Sequence, residues 1–275
     1  MRVLLALSVV IVVALGCSRS ARPTTEAPKP EGTGLVFTSE GGDIITIVPL
    51  LPAEPRRALV QFHAPGDDLD GKVALHSVGD DNSYWTDWRG KRLRLVRLAP
   101  SQKSNGRNTL NRFDKEDPVT LYASEERSKK VDVEDVVELY QRQLADGTLS
   151  RAAAFDKAFW AASEERDLAE KVKTLNQTCG SNVAVQVAWD TVSDKELSEY
   201  PIGAYCAGPL EALEFLCRGS EEARRTVKST LKRVECRNGA SYGGKVESGA
   251  LQWTIAPAAG GMDTASYADF FLDHL

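Results

Sequence analysis

From Val3 to Leu15 the chain is apolar apart from Ser8, and only Met1 and Arg2 precede this run. Thirteen residues fall short of the roughly 20 that a spanning helix requires, so the pattern predicts the apolar core of a secretory leader. Beyond residue 34 the pattern shortens. Leu35–Phe37, Asp43–Leu50, Ala58–Phe62, Lys72–Val78 and Val119–Ala123 are β-favouring runs separated by clusters of Pro, Gly and Asp. Ser83–Trp88 faces Arg92–Leu98 across Arg89-Gly90-Lys91, which predicts a hairpin. Short strands at this spacing predict a small sandwich or barrel-like domain.

The period then changes. Val133, Val136, Val137, Tyr140 and Leu144 follow three-four spacing up to Gly147, which stops the helix. A longer helix is expected from about Ser150, with Phe155, Phe159, Leu168, Val172 and Leu175 along one side. Val183–Trp189 reads as a strand. Pro209–Cys217 reads as a short helix ended by Gly219, and a second helix is expected after Ser220 with Ala223, Val227, Leu231 and Val234 on one face. Gly244-Lys245-Val246 leads into a hairpin, Leu251, Trp253 and Ile255 alternate as a late strand, and residues 264–275 close the chain as a helix with Tyr267, Phe270 and Phe271 inward. The fold class expected is α+β, with a β-rich N-terminal domain, a helical connector, and a C-terminal domain of a small sheet with helices on one face. The boundaries are 1–16 for the leader, 17–33 for a Pro-bearing tether, 34–125, 126–178 and 179–275.

Composition narrows the classes. Hydrophobic residues are 42% and charged residues 27%, ordinary values for a folded chain. The formal charge is −5, which gives no reason to expect nucleic acid as a partner, because phosphate backbones favour a basic surface. The leader ends Val13-Ala14-Leu15-Gly16-Cys17, and small Gly16 before Cys17 resembles the lipobox of bacterial lipoproteins, with Ala14 where leucine is usual. The resemblance implies lipidation of Cys17, cleavage before it and a membrane anchor. Ser18 follows where an aspartate would retain a protein at the inner membrane by the enterobacterial rule, so the expected location is the outer membrane, facing periplasm or surface.

Four further cysteines, Cys179, Cys206, Cys217 and Cys236, lie in the C-terminal third. An even number in an exported chain predicts two disulfides, and without a C-x-x-C neither zinc nor thioredoxin chemistry is expected. If a helix runs from Ser220 to Cys236, then Cys217 and Cys236 stand about 24 Å apart, beyond the ~7 Å limit for a bridge. Cys206 and Cys217 likewise flank one helix. An antiparallel helical hairpin brings Cys236 back to Cys206, so Cys206–Cys236 and Cys179–Cys217 are the expected pairs.

The blocks Gln143–Leu149, Ala152–Asp156, Cys179-Gly180, Val187–Asp190, Tyr205–Leu213 and Leu216-Cys217 together resemble a group of uncharacterised predicted lipoproteins of the myxobacterial type. The resemblance covers most of the mature chain. It implies an anchored protein with a cysteine-bearing tail domain, and it brings no catalytic residues.

Several constellations invite chemistry. Gly239-Ala240-Ser241-Tyr242-Gly243 matches G-x-S-x-G, and Asp263 and His274 follow in hydrolase order. Only about 34 residues remain after Ser241, too few for the rest of that sheet, so a glycine-rich turn is expected instead. His63 and His76 lie on neighbouring expected strands near Asp67, Asp68 and Asp70, without the spacing of a metal site. Gly66–Gly71 resembles a calcium loop but has glycine at its first ligand position, which favours a turn. No metal or cofactor is therefore expected. Tyr84, Trp85 and Trp88 form the densest aromatic cluster, with Tyr84 and Trp88 on one face and Trp85 on the other. Arg89, Lys91, Arg92, Arg94 and Arg97 follow as a basic stripe. These eight residues form the candidate binding surface, alongside a bland reading as core aromatics and a solvated strand face.

The expectation for function is a lipid-anchored envelope protein of a Gram-negative bacterium that binds or scaffolds an envelope protein or glycan without catalysis. The alternatives are an exported hydrolase acting on an envelope polymer and an inhibitor or immunity-type protein.

Overall fold

A computed structural model describes residues 28–99, 107–113, 115, 117–261 and 264–274. The leader, Cys17 and Asp263 lie outside the described residues.

The N-terminal unit is built from β1 (Lys29–Pro30), β2 (Leu35–Thr38), β3 (Ile44–Leu51), β4 (Arg57–His63), β5 (Val73–Val78), β6 (Ser83–Trp88), β7 (Lys91–Arg97), β8 (Asn108–Leu110) and β9 (Val119–Ala123). All pairings are antiparallel, in the order β3-β2-β9-β8-β7-β6-β5-β4, and β4 returns to β3 through seven registered pairs. Eight strands thus close into a barrel, and β1 lies on β3 as an extra strand. Closure removes free sheet edges. The strand alternation predicted from sequence places Ile45, Ile47, Val60, Phe62, Ala74, Tyr84, Trp88 and Leu95 in the barrel core.

One boundary differs from expectation. Lys29 and Pro30 pair with Leu51 and Leu50, and the Glu31 N–H reaches the Pro49 carbonyl at 2.8 Å. The end of the expected tether is therefore part of the sheet. Proline has no N–H to give a ladder, which hides such a strand from propensity.

The connector comprises α1 (Glu125–Ser128), α2 (Val133–Ala145), α3 (Thr148–Ala153) and α4 (Lys157–Cys179). Asp132 caps α2 by accepting from the Glu134 and Asp135 N–H groups. Val136 and Tyr140 of α2 pack on Val48, Leu50, Leu59 and Val73, the outward-facing residues of β3, β4 and β5. The single helix expected from Ser150 is in fact two. The chain breaks at Ala154–Asp156, where Asp156 caps α4 through the Phe159 N–H, and Phe155 sits in the break.

The C-terminal unit contains β10 (Ala184–Val187), α5 (Asp194–Glu199), α6 (Ile202–Gly219), α7 (Glu221–Thr230), β11 (Arg233–Asn238), β12 (Gly243–Glu247), β13 (Ala250–Ile255) and α8 (Thr264–His274). Its sheet runs β10-β11-β13-β12, with the first three strands parallel. Val187, Val234, Cys236, Leu251, Trp253 and Ile255 meet the helices on one face. The other face carries charge, including the pairs Arg233–Glu235 and Lys245–Glu247.

Cys179 is bonded to Cys217 and Cys206 to Cys236, with Cα separations of 5.3 and 5.8 Å. The route to this pairing differs from the expected helical hairpin. Cys206 and Cys217 share α6, which runs through Pro209, while Cys236 lies on β11. Pro209 sits inside the helix at the loss of one backbone bond. Leu231 and Val234 imitate helical spacing although α7 ends at Thr230 and the chain turns into a strand.

Candidate functional site

The expected binding surface divides into three parts. Tyr84 and Trp88 are buried in the barrel, as their shared strand face requires. Arg89 and Lys91 are taken up in the seam between the barrel and the helices. Trp85 is half-buried on the outer face, and Arg92, Arg94 and Arg97 are exposed there.

The seam centres on the two-residue turn Arg89-Gly90 between β6 and β7. Both residues have positive φ, 47° and 73°, as a type I′ turn demands. A Cβ on Gly90 would stand 2.6 Å from the Phe155 Cβ, so the close approach also requires glycine. Arginine is unusual in this conformation, and its contacts account for it. Its N–H donates to the Ala152 carbonyl at 2.7 Å, and Gly90 N–H to the Ala153 carbonyl at 2.8 Å. Its carbonyl accepts from Trp160 Nε1 at 2.7 Å. The guanidinium donates to Asp68 at 3.2 Å and to Asp156, the cap of α4, and lies 4.1 Å from the Phe159 ring centre. Phe113 continues the joint, stacked against Trp88 at 6.4 Å and edge-on to Phe159 at 5.5 Å. The Lys91 ammonium lies over Trp160. Burial pushes that ammonium below its ordinary range, and nearby Glu164 opposes the shift. Burial raises the Glu164 carboxyl, opposed chiefly by the Gly203 N–H that it accepts at 2.8 Å.

Beside the seam lies a cleft of about 430 Å³, within the range of small-molecule sites, about 300–1,000 Å³. It exists because β5 and β6 pair only at Ser77–Trp85 and Val78–Tyr84. Elsewhere their facing edges separate, and side chains satisfy part of the opened ladder. Thr86 Oγ1 donates to the Leu75 carbonyl at 2.9 Å. Gln143 of α2 accepts from the Val73 N–H at 2.9 Å and donates to the Gly71 carbonyl at 2.7 Å. The outer floor of the cleft is Arg57, Leu75, Ser77 and Trp85, and its helical wall is Tyr140, Leu144 and Leu149.

Among the described residues, two polar groups of this cleft have no partner. Arg57 Nε is buried without an acceptor, although its Nη2 donates to the Leu51 carbonyl at 3.4 Å. His76 is wholly buried on the barrel face of β5, paired in register with Ala58 and 5.8 Å from the Phe62 ring. Its Nδ1 is 2.9 Å from the Ala74 carbonyl, so Nδ1 carries the proton and Nε2 is an acceptor with no donor. Burial lowers the pKa of His76 to about 4, against a smaller opposing effect of the Ala74 bond, and the ring is neutral at pH 7.

The other motifs resolve as structure. His63 and His76 are not registered against each other; His63 instead lies 3.3 Å from Asp70. In the 66–71 loop, Asp67 accepts from the Leu69 and Phe113 N–H groups, Asp68 from Trp88 Nε1, and Asp70 from the Ala64 N–H. Arg112 lies between Asp43 and Asp67, with all three side chains nearly inaccessible. Among the described residues no three metal-binding side chains gather. Ser241 is exposed in a turn between β11 and β12, not between a strand and a helix, and the His274 ring stacks on Phe270 at 4.3 Å. Sequence reasoning missed Arg57 and Tyr140. The available signal was a cation opening the otherwise apolar run Ala58–Val60, with a tyrosine on the buried stripe of α2. No protein-family model, curated protein or solved structure matches this chain.

Proposed function

We propose that the chain is a lipid-anchored envelope protein of a Gram-negative bacterium whose role is to bind or scaffold another envelope component. The observation that carries this reading is the cleft at the barrel–helix seam, which combines aromatic faces, an apolar wall and a half-buried arginine whose Nε–H meets no acceptor among the described residues. This is recognition chemistry on a rigid frame. The two disulfides support the exported part of the reading, since thiols stay reduced in the cytosol. The leader and Cys17 support the anchor.

The test places a photoreactive phenylalanine at position 85 in the full chain and irradiates cells of the native host. A discrete adduct that disappears when Leu149→Trp fills the cleft is the expected result. No adduct, or an adduct indifferent to Leu149→Trp, overturns binding at the cleft. In the same cells Cys17→Ala is expected to move the protein from the membrane to the soluble fraction, and retention on membranes would sink the anchor.

A further inference from the structure

The geometry points to a ligand class for the cleft: a monoanionic amphiphile, a carboxylate with an apolar chain or ring, its head on Arg57 and its body along Leu75, Tyr140, Leu144 and Leu149. The inference rests on the binding role proposed above and specifies its ligand.

Arg57 and Ser77 are registered partners on neighbouring strands, and both face outward with Leu59 and Leu75. The Arg57 guanidinium therefore lies on the outer floor, beside the wall made by α2 and α3. A half-buried guanidinium whose Nε–H is covered and unmet is matched by an anionic acceptor, and guanidinium–carboxylate geometry is the favoured pairing. Among the cleft's charged groups, Asp87 lies 3.9 Å from Arg92, and both side chains are largely exposed. That pair balances itself at the rim, and Arg57 remains as the net charge inside. One cation with one buried free N–H suits a single negative charge; a phosphate dianion would call for more. The remaining lining is mostly apolar. Leu144 is 43% exposed at the mouth, where a chain longer than the cleft could continue outward. Behind the floor, at the open stretch between β5 and β6, the buried residues Ala74, Thr86 and Trp88 also line the cleft, which gives the body depth as well as length.

The test is calorimetric titration of the purified full chain with decanoate, with the uncharged decanamide, and with 3-phenylpropionate. The change in tryptophan emission that is lost in Trp85→Phe serves as a second readout. Decanoate is expected to bind roughly 10- to 100-fold more tightly than decanamide, the scale of a charge-assisted hydrogen bond. Arg57→Gln is expected to erase that ratio, bringing decanoate down to the affinity of decanamide. The phenylpropionate arm decides between chain and ring: tighter decanoate means an aliphatic body, tighter phenylpropionate an aromatic one. Equal affinity for decanoate and decanamide overturns the inference, as does no binding by any of the three. Should Arg57→Gln fail to fold, Leu149→Trp supplies the second variant and is expected to abolish binding; undiminished binding would place the ligand elsewhere. Loss of the carboxylate preference with the position-85 adduct retained removes only the ligand class. Loss of the adduct with carboxylate binding retained removes only the envelope partner.

Discussion

The barrel and the C-terminal unit solve the same problem by different means. Each must hold a small sheet in register against the entropy of the chain. The barrel closes on itself, so every core strand has two neighbours, and its loops are tied by a buried Asp43–Arg112–Asp67 group. The C-terminal sheet stays open, with β10 and β12 as edges and helices on one face only. Its register is held by covalent bonds. One disulfide ties α4 to α6 and the other ties α6 to β11, so a single helix carries both staples. The contrast teaches that topology can replace crosslinks: where pairing closes, polar networks suffice, and where it does not, cystines take over. The two units should therefore fail under different insults, the tail under reductant and the barrel under acid.

The largest effect belongs to the cystines. Cys206 and Cys236 are 30 residues apart, and closing such a loop stabilises by roughly 3.5 kcal/mol in the chain-entropy account. Replacing both by alanine is expected to cost the C-terminal unit about that much. Hydrogen exchange read by region checks it: α6 and β11 to β13 should lose protection, while β2 to β7 keep theirs. Equal loosening of the barrel would erase the contrast between the units.

Acid provides the converse. The neutral, buried His76 has a folded pKa of about 4 and an ordinary unfolded one near 6.5. Between those values the unfolded chain takes up a proton that the fold refuses, so stability falls as pH drops from about 6.5 to 4 and no further loss arises below. The full difference is about 3 kcal/mol. His76→Leu is expected to flatten the pH dependence of barrel unfolding across this window, measured by denaturant titration at pH 7, 5.5 and 4. An unchanged slope would show that the acid sensitivity lies in the carboxylate network instead.

Much of this architecture was legible along the chain, for reasons visible in particular residues. β2 to β7 and β9 announced themselves because alternation at two residues is a strong signal when one face is core. α2 did so through Val133, Val136 and Tyr140, and Gly147 marked its end. Three strands were not legible. β8 has three residues, too few to show a period, and β1 contains proline. β11 was masked because Val227, Leu231 and Val234 satisfy helical spacing, and only tertiary pairing with β10 and β13 decides for the strand. The cleft was half legible. Trp85 and Arg92 stood out as an aromatic and a basic residue of the candidate binding surface, but Arg57 joins them through strand pairing and Tyr140 through helix docking. Neither juxtaposition has a local signature. The seam shows the reverse: Trp88, Arg89 and Lys91 look like surface chemistry in the sequence, but the barrel buries Trp88 and the helices half cover Arg89 and Lys91.

The smallest of the three effects tests that seam. Arg89 joins both halves of the comparison, since it donates to Asp68 on the barrel side and to Asp156 at the start of α4. Arg89→Leu would leave the turn in the same positive-φ conformation, remove both bonds to the carboxylates and keep only apolar contact with Phe159. Asp68 retains Trp88 Nε1 and Asp156 retains the Phe159 N–H, so neither carboxylate loses every donor. The expected cost is therefore about 2 kcal/mol, below the 3–5 kcal/mol of a fully stranded buried charge. The cost should appear in the barrel: its unfolding midpoint in Arg89→Leu should fall by the equivalent of about 2 kcal/mol, with the cystines intact or reduced. If the midpoint does not move, the aromatic row from Trp88 through Phe113 to Phe159 holds the units together, and the guanidinium serves only to shape the turn.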